Sequence, residues 1–164
     1  PVGDPAKETT VTGPLITVEA GKRVEEWVKE ALDKGARQLV GGPSEGAVVP
    51  PTLLVDVSPD MRVGCQEVFG PVVSIIPFDA MDEAFDRVNS TPYGLASGIF
   101  TNRMSDAFAA VRQLDVGGVH VNETSSSRVD LMPYGGSKDS GFGREGPHYA
   151  IQELTEERVV SITA

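Results

Sequence analysis

Cysteine is almost absent. Cys65 is the only one in 164 residues, so no disulfide can form within the chain, and a reducing, cytoplasmic compartment is expected. Histidine is nearly as scarce: His120 and His148 are the only two, and no Cys/His cluster exists to hold a metal, so no metal site is expected. No apolar run approaches the ~18 residues of a membrane span, and no basic-then-apolar leader is visible. Positive charge is also short, with 14 Lys and Arg against 24 Asp and Glu and a formal charge of -10. That balance repels polyphosphate and anionic lipid, which makes nucleic acid and membrane surfaces poor partners.

What the chain does hold is 40% hydrophobic and 23% charged residues, enough at this length for a continuous core. Residues 1–19 are rich in Gly, Pro and Thr at their start and read as an extended loop. From 20 to 34, Val24, Trp27, Val28, Ala31 and Leu32 recur at helical spacing and Gly35 follows at a C-cap position, which predicts an amphipathic helix. Residues 37–40 and 51–57 read as strands, and 72–78 is apolar on both faces, the pattern of a central strand covered on each side. A helix over 81–90, a strand over 96–100, a helix over 105–114 with Phe108, Val111 and Leu114 inward, and a strand over 116–122 continue the alternation. The expected class over 20–122 is therefore α/β, a mostly parallel sheet covered by helices. Residues 123–146 form a glycine-rich loop too long to be an idle connection. A short helix from 147 and a last strand over 158–162 complete 147–164, the strand placed to pair outside the domain.

Several side chains invite a chemical role. Cys65 lies in RVGCQEVFGP two residues before Glu67, and nearby negative charge disfavours a thiolate, so it reads as incidental rather than nucleophilic. His120, on an apolar strand, reads as a packed residue, and His148 starts a short helix. Lys138, Arg144 and Glu145 lie in KDSGFGREG, where a phosphate site competes with ordinary charge pairing. Taken alone, Glu67 reads as a cap or a solvated carboxylate and Phe69 as core.

Taken in order, VGDP, a GP turn, a helix ending in KGA, GG, QEVFGPV, STPYGLASGIFT, VGGVHVN, PYGGSKDSGFGREG and a final TEER strand resemble the C-terminal part of the NAD(P)-dependent aldehyde dehydrogenase superfamily, over nearly the whole chain. In that family a cysteine thiolate attacks the aldehyde, amides hold the oxyanion, hydride passes to nicotinamide, and a glutamate activates water. The resemblance places that cysteine, that base and the dinucleotide-binding domain upstream of Pro1, and no Gly-rich loop between a strand and a helix replaces the latter here. It therefore implies part of a catalytic domain with no catalytic residue of its own, inactive alone, with NAD or NADP as cofactor.

The family's E-x-F-G-P motif maps onto Glu67, Phe69, Gly70 and Pro71. The resemblance implies that Glu67 accepts hydrogen bonds from the nicotinamide ribose and that Phe69 packs beside the ring. The long loop maps onto the wall of the aldehyde tunnel, with Tyr134 at the aromatic position before paired glycines, although plain packing suits it equally. Ser125, Ser126, Ser127 and Arg128 occupy the part that sets substrate choice, similar to lactaldehyde-like members. Ser126 and Arg128 would then bind the substrate, Arg128 clamping an anionic group, unless it pairs with Asp130. A homo-oligomer, dimer or tetramer, is implied, formed through the terminal strand. The alternative is a naturally isolated, non-catalytic binding or assembly module of the same fold, which the reading frame upstream of Pro1 would distinguish.

Overall fold

The computed structural model describes residues 1–163. They fall in two compact units, residues 1–77 and 78–163.

In the first unit, α1 (Val18–Asp33) starts where the Thr17 side chain accepts from the Ala20 amide at 3.1 Å, an N-cap that satisfies one orphan donor. It ends in a Schellman arrangement: Gly35, at φ 105°, donates to the Leu32 carbonyl and Ala36 to the Ala31 carbonyl. Gly21, Val24, Trp27 and Ala31 form its buried stripe. β1 (Arg37–Val40), β2 (Thr52–Val55) and β3 (Val72–Ile75) form one sheet, with β1 and β2 antiparallel and β2 and β3 parallel, Leu54 facing Ser74. Between β2 and β3 lies α2 (Arg62–Cys65), a single turn that no sequence periodicity announces. The core gathers Trp27, Ala31, Ala36, Leu54, Val57, Met61 and Val63, with Val28, Val68, Val72 and Ile76 packed against it.

β3 is not the central strand that its apolar run predicts. β2 is central and β3 is an edge, with Val72 and Ser74 half-buried while Val73 and Ile75 are exposed. Apolar side chains on both faces of a strand show that it can be covered twice, not that this unit does so.

The second unit opens with α3 (Met81–Asn89), then β4 (Tyr93–Gly94), β5 (Ala96–Ile99), α4 (Met104–Gln113), β6 (Gly118–Val121), β7 (Ser137–Lys138) and α5 (Pro147–Leu154). β5 and β6 pair in parallel through α4, and β4 pairs with β7 antiparallel. The class is α/β as expected, with parallel and antiparallel pairings mixed. The inward face of α4 differs from expectation: Ala107 and Ala110 are buried, whereas Phe108 and Val111 are 56% and 57% exposed. Two apolar stripes satisfy the helical period here, and the small one turns inward, which allows close packing.

Residues 158–162 form no strand within the chain, and Val159 and Ile162 are 95% and 87% exposed. A strand needs a partner, and among the described residues none pairs with this segment. Among the described residues no helix is long and apolar enough to cross a membrane, and no group of three or more His, Cys, Asp or Glu side chains is placed to hold a metal ion.

Candidate functional site

The stretch 62–71 is built around a main chain held on both sides of one exposed aromatic ring. The Gln66 amide donates to the Arg62 carbonyl at 2.9 Å, ending the α2 turn. Arg23, on α1, donates from Nη2 to the Val68 carbonyl at 2.8 Å. Gly70 lies so close to α1 that a Cβ there would come within 2.8 Å of Val24 Cγ2, an approach only glycine permits. The Pro71 carbonyl accepts from the Thr52 amide at 2.8 Å, joining the stretch to the central strand. Phe69, between these anchors, is 73% exposed at φ 48°. A non-glycine residue in the left-handed region stores ~1–3 kcal/mol, and this ring recovers little of that by burial. Glu67 is exposed on the same stretch, whereas Val68 packs against the core.

Below the stretch, the guanidinium groups of Arg23 and Arg62 lie over the Trp27 ring at 4.9 and 5.3 Å. Arg62 also pairs with Glu30, which takes Lys34 at 3.1 Å. Hydrogen bonds from Lys34 and then Arg62 hold the Glu30 carboxyl below its ordinary range, and bonds from Ser58 and Lys34 do the same for Asp60. Cys65 closes the α2 turn, half-buried, its amide bonded to the Met61 carbonyl.

In the second unit the loop after β6 closes on itself. Tyr134 and Glu145 exchange backbone bonds at 3.1 and 2.6 Å. The Arg128 guanidinium lies 4.6 Å over the Tyr134 ring and 3.4 Å from the Glu145 carboxylate. Its ionic partner is thus Glu145 and not Asp130, because the bridge brings Glu145 beside the ring on which Arg128 stacks. Ser126 is exposed, its hydroxyl 2.9 Å from that of Thr124. The structure therefore joins Arg128 and Tyr134 directly, keeps Ser126 on the same loop, and sets Glu67 and Phe69 together in the first unit.

The other cations of this loop are engaged in holding it. Lys138 Nζ donates to the Asn89 and Thr91 carbonyls at 2.9 and 3.2 Å and lies 3.7 Å from the Asp115 carboxylate. Arg144 Nη1 donates to the Gly136 and Gly143 carbonyls at 3.0 and 2.7 Å. Both fit a structural role better than a phosphate site. A cavity of about 330 Å³ is lined by Tyr134, Gly136, Phe142, Arg144, Glu145 and Glu153. A larger one of about 480 Å³, between Phe85 of α3 and Ile99 of β5, is lined almost wholly by apolar side chains and suits packing. Sequence reasoning passed over Arg23, whose signal is an arginine one helical turn before a buried tryptophan.

Comparison with known proteins supplies a context for these stretches. The profile of the aldehyde dehydrogenase family matches residues 1–160. The 3-sulfolactaldehyde dehydrogenase of Priestia aryabhattai is 52% identical over 159 residues, covering 97% of this chain and 33% of that protein. Aldehyde dehydrogenase 21 from Physcomitrella patens, solved with the reaction product succinate, superposes with a TM-score of 0.91 at 44% identity, over 94% of this chain and 32% of that one. Glyceraldehyde-3-phosphate dehydrogenase from Methanocaldococcus jannaschii, solved with NADP, gives 0.89 at 44% identity, over 93% and 33%. The chain thus spans about a third of the length of the relatives it matches.

Proposed function

Given that this chain belongs to the aldehyde dehydrogenase family, we propose that it is part of an NAD- or NADP-dependent enzyme that oxidises a small anionic aldehyde to the carboxylic acid. The observation that carries this reading is Phe69, exposed and left-handed beside an exposed Glu67. Strain of that kind persists where the surroundings impose it, and it clusters at ligand sites. The carboxylate offers only acceptors, which suits a ribose diol, and the ring offers a flat apolar face to a nicotinamide. A nicotinamide cofactor held there would supply the hydride acceptor that oxidation of an aldehyde requires. Glu67 fixes the sugar and Phe69 limits the tilt of the ring, so both act by orientation.

Arg128 supplies the anion contact. Its guanidinium is held over Tyr134, and its Glu145 partner is an exposed carboxylate that a substrate anion can replace at small cost, since surface pairs contribute only ~0–1 kcal/mol. Ser126 adds a hydroxyl on the same loop. The three relatives described above are named for, or were solved with, a sulfonated aldehyde, a dicarboxylate and a phosphorylated aldehyde, which supports an anionic substrate.

The nucleophilic thiol is supplied from outside this segment, because the only cysteine is a half-buried residue in a helical turn. The segment alone is accordingly inactive. The segment 158–162, with Val159, Val160 and Ile162 exposed, pairs with a second copy, giving a homo-oligomer, and the single cysteine suits a cytoplasmic setting. The exposed Val73 and Ile75 also favour a second reading, a naturally isolated, non-catalytic binding or assembly module of the same fold, which the reading frame upstream of Pro1 would distinguish.

The test is Glu67→Gln in the full-length enzyme. Losing a charged acceptor should raise the cofactor KM about tenfold or more with the aldehyde KM unchanged. An unchanged cofactor KM would sink the assignment.

A further inference from the structure

We propose that Arg23 is a positioning residue of the cofactor stretch, acting through the Val68 carbonyl to impose the conformation of Phe69. This rests on the placement of the nicotinamide at Glu67 and Phe69 given above. Peptide planarity makes the bond effective: fixing the Val68 oxygen fixes the plane from which Phe69 sets out. On the far side, Gly70 packs against Val24 and the Pro71 carbonyl is held by the Thr52 amide. Between two fixed points the left-handed turn at Phe69 follows, and the ring is presented to solvent.

Arg23 is itself held. Its guanidinium stacks on the buried Trp27, which also carries the Arg62 guanidinium on its ring. Two cations on one ring repel, and the pairing of Arg62 with Glu30 offsets that, while Arg23 directs Nη2 at Val68 from 45 residues away in sequence. A charged donor makes a stronger bond to the carbonyl than a neutral one. α1 thus holds the cofactor stretch at more than one point, and Arg23 is the side chain that fixes the Val68 carbonyl without touching the cofactor.

The test uses the full-length enzyme and separates this role from a general structural one. Arg23→Met keeps much of the stem over Trp27 but removes the donor. It should raise the cofactor KM about fivefold, with the aldehyde KM and Tm little changed, and Arg23→Lys should recover part of the loss. In a Phe69→Gly background the further effect of Arg23→Met should shrink below about twofold, since coupled residues are not additive. An unchanged cofactor KM, a loss confined to Tm and kcat, or a full additional fivefold rise without Phe69 would each overturn the proposal. Should Arg23→Met fail to fold, Arg23→Lys carries the same comparison, with a smaller rise expected and none overturning it. If Glu67→Gln leaves the cofactor KM unchanged, the cofactor placement itself fails. A response to Glu67→Gln alone removes only the role of Arg23.

Discussion

Replacing Phe69 by glycine should cost almost no stability and yet weaken cofactor binding. The left-handed backbone at φ 48° penalises any residue with a Cβ by ~1–2 kcal/mol, which glycine relieves. Against that relief stands the burial lost: the residue is 73% exposed, so of the ~1.5–3 kcal/mol that complete burial of a phenylalanine is worth, less than ~1 is at stake. Glycine also adds ~0.5–1 kcal/mol of freedom to the unfolded chain. These effects offset to within about 1 kcal/mol, a Tm change of no more than a few degrees. Cofactor KM should rise about tenfold as the flat apolar contact disappears. Thermal unfolding and initial rates at saturating aldehyde measure the two quantities in the full-length enzyme. A Tm drop matching the ~3–5 kcal/mol that truncating a core phenylalanine costs, with the cofactor KM unchanged, would refute the reasoning and return Phe69 to ordinary packing.

Arg128→Ala in the full-length enzyme should lower kcat/KM for anionic aldehydes by at least about tenfold, the value of a charge-assisted bond, and leave neutral aldehydes nearly unaffected; an equal loss for both classes in a kinetic panel points to packing on Tyr134 instead. The Glu30 carboxyl is held below its ordinary range by Lys34 and Arg62, so its contribution to stability is present above the unfolded value of ~4.3 and fades as pH falls through the lower folded value. The Tm gap between wild type and Glu30→Gln should therefore be steady near neutrality and close in acid, and a gap that widens in acid contradicts the assigned pairs.

How much of this was legible in the sequence depends on how local each cause is. α1 was readable because its apolar stripe repeats at the helical period and Gly35 marks its end. The strand 37–40 was readable from the Gly-Gly-Pro turn that follows it and 72–75 from its apolar run, but the rank of β3 in the sheet was not, because apolar side chains on both faces do not say what covers them. α4 offered two stripes, Ala107 with Ala110 and Phe108 with Val111, and hydrophobicity favours the wrong one, since the approach of neighbouring elements selects the smaller side chains. β4 and β7, of two residues each, are too short to have a period. At the candidate site, Glu67, Phe69 and Tyr134 stood out through the resemblance, yet the left-handed turn at Phe69 is enforced by Arg23 and Thr52, both distant in the chain. Arg128 was expected to find Asp130 if it paired at all, and a backbone bridge delivers Glu145 from 17 residues away.

The central claim, that RVGCQEVFGP forms part of a nicotinamide site and does not supply the nucleophile, is tested most directly by a structure of the full-length enzyme with NAD or NADP bound. The account predicts the Glu67 carboxylate within hydrogen-bonding distance of the nicotinamide ribose hydroxyls, the Phe69 ring against the nicotinamide, and Cys65 remote from its reactive carbon. A ribose held elsewhere, with Glu67 and Phe69 in solvent, would contradict it.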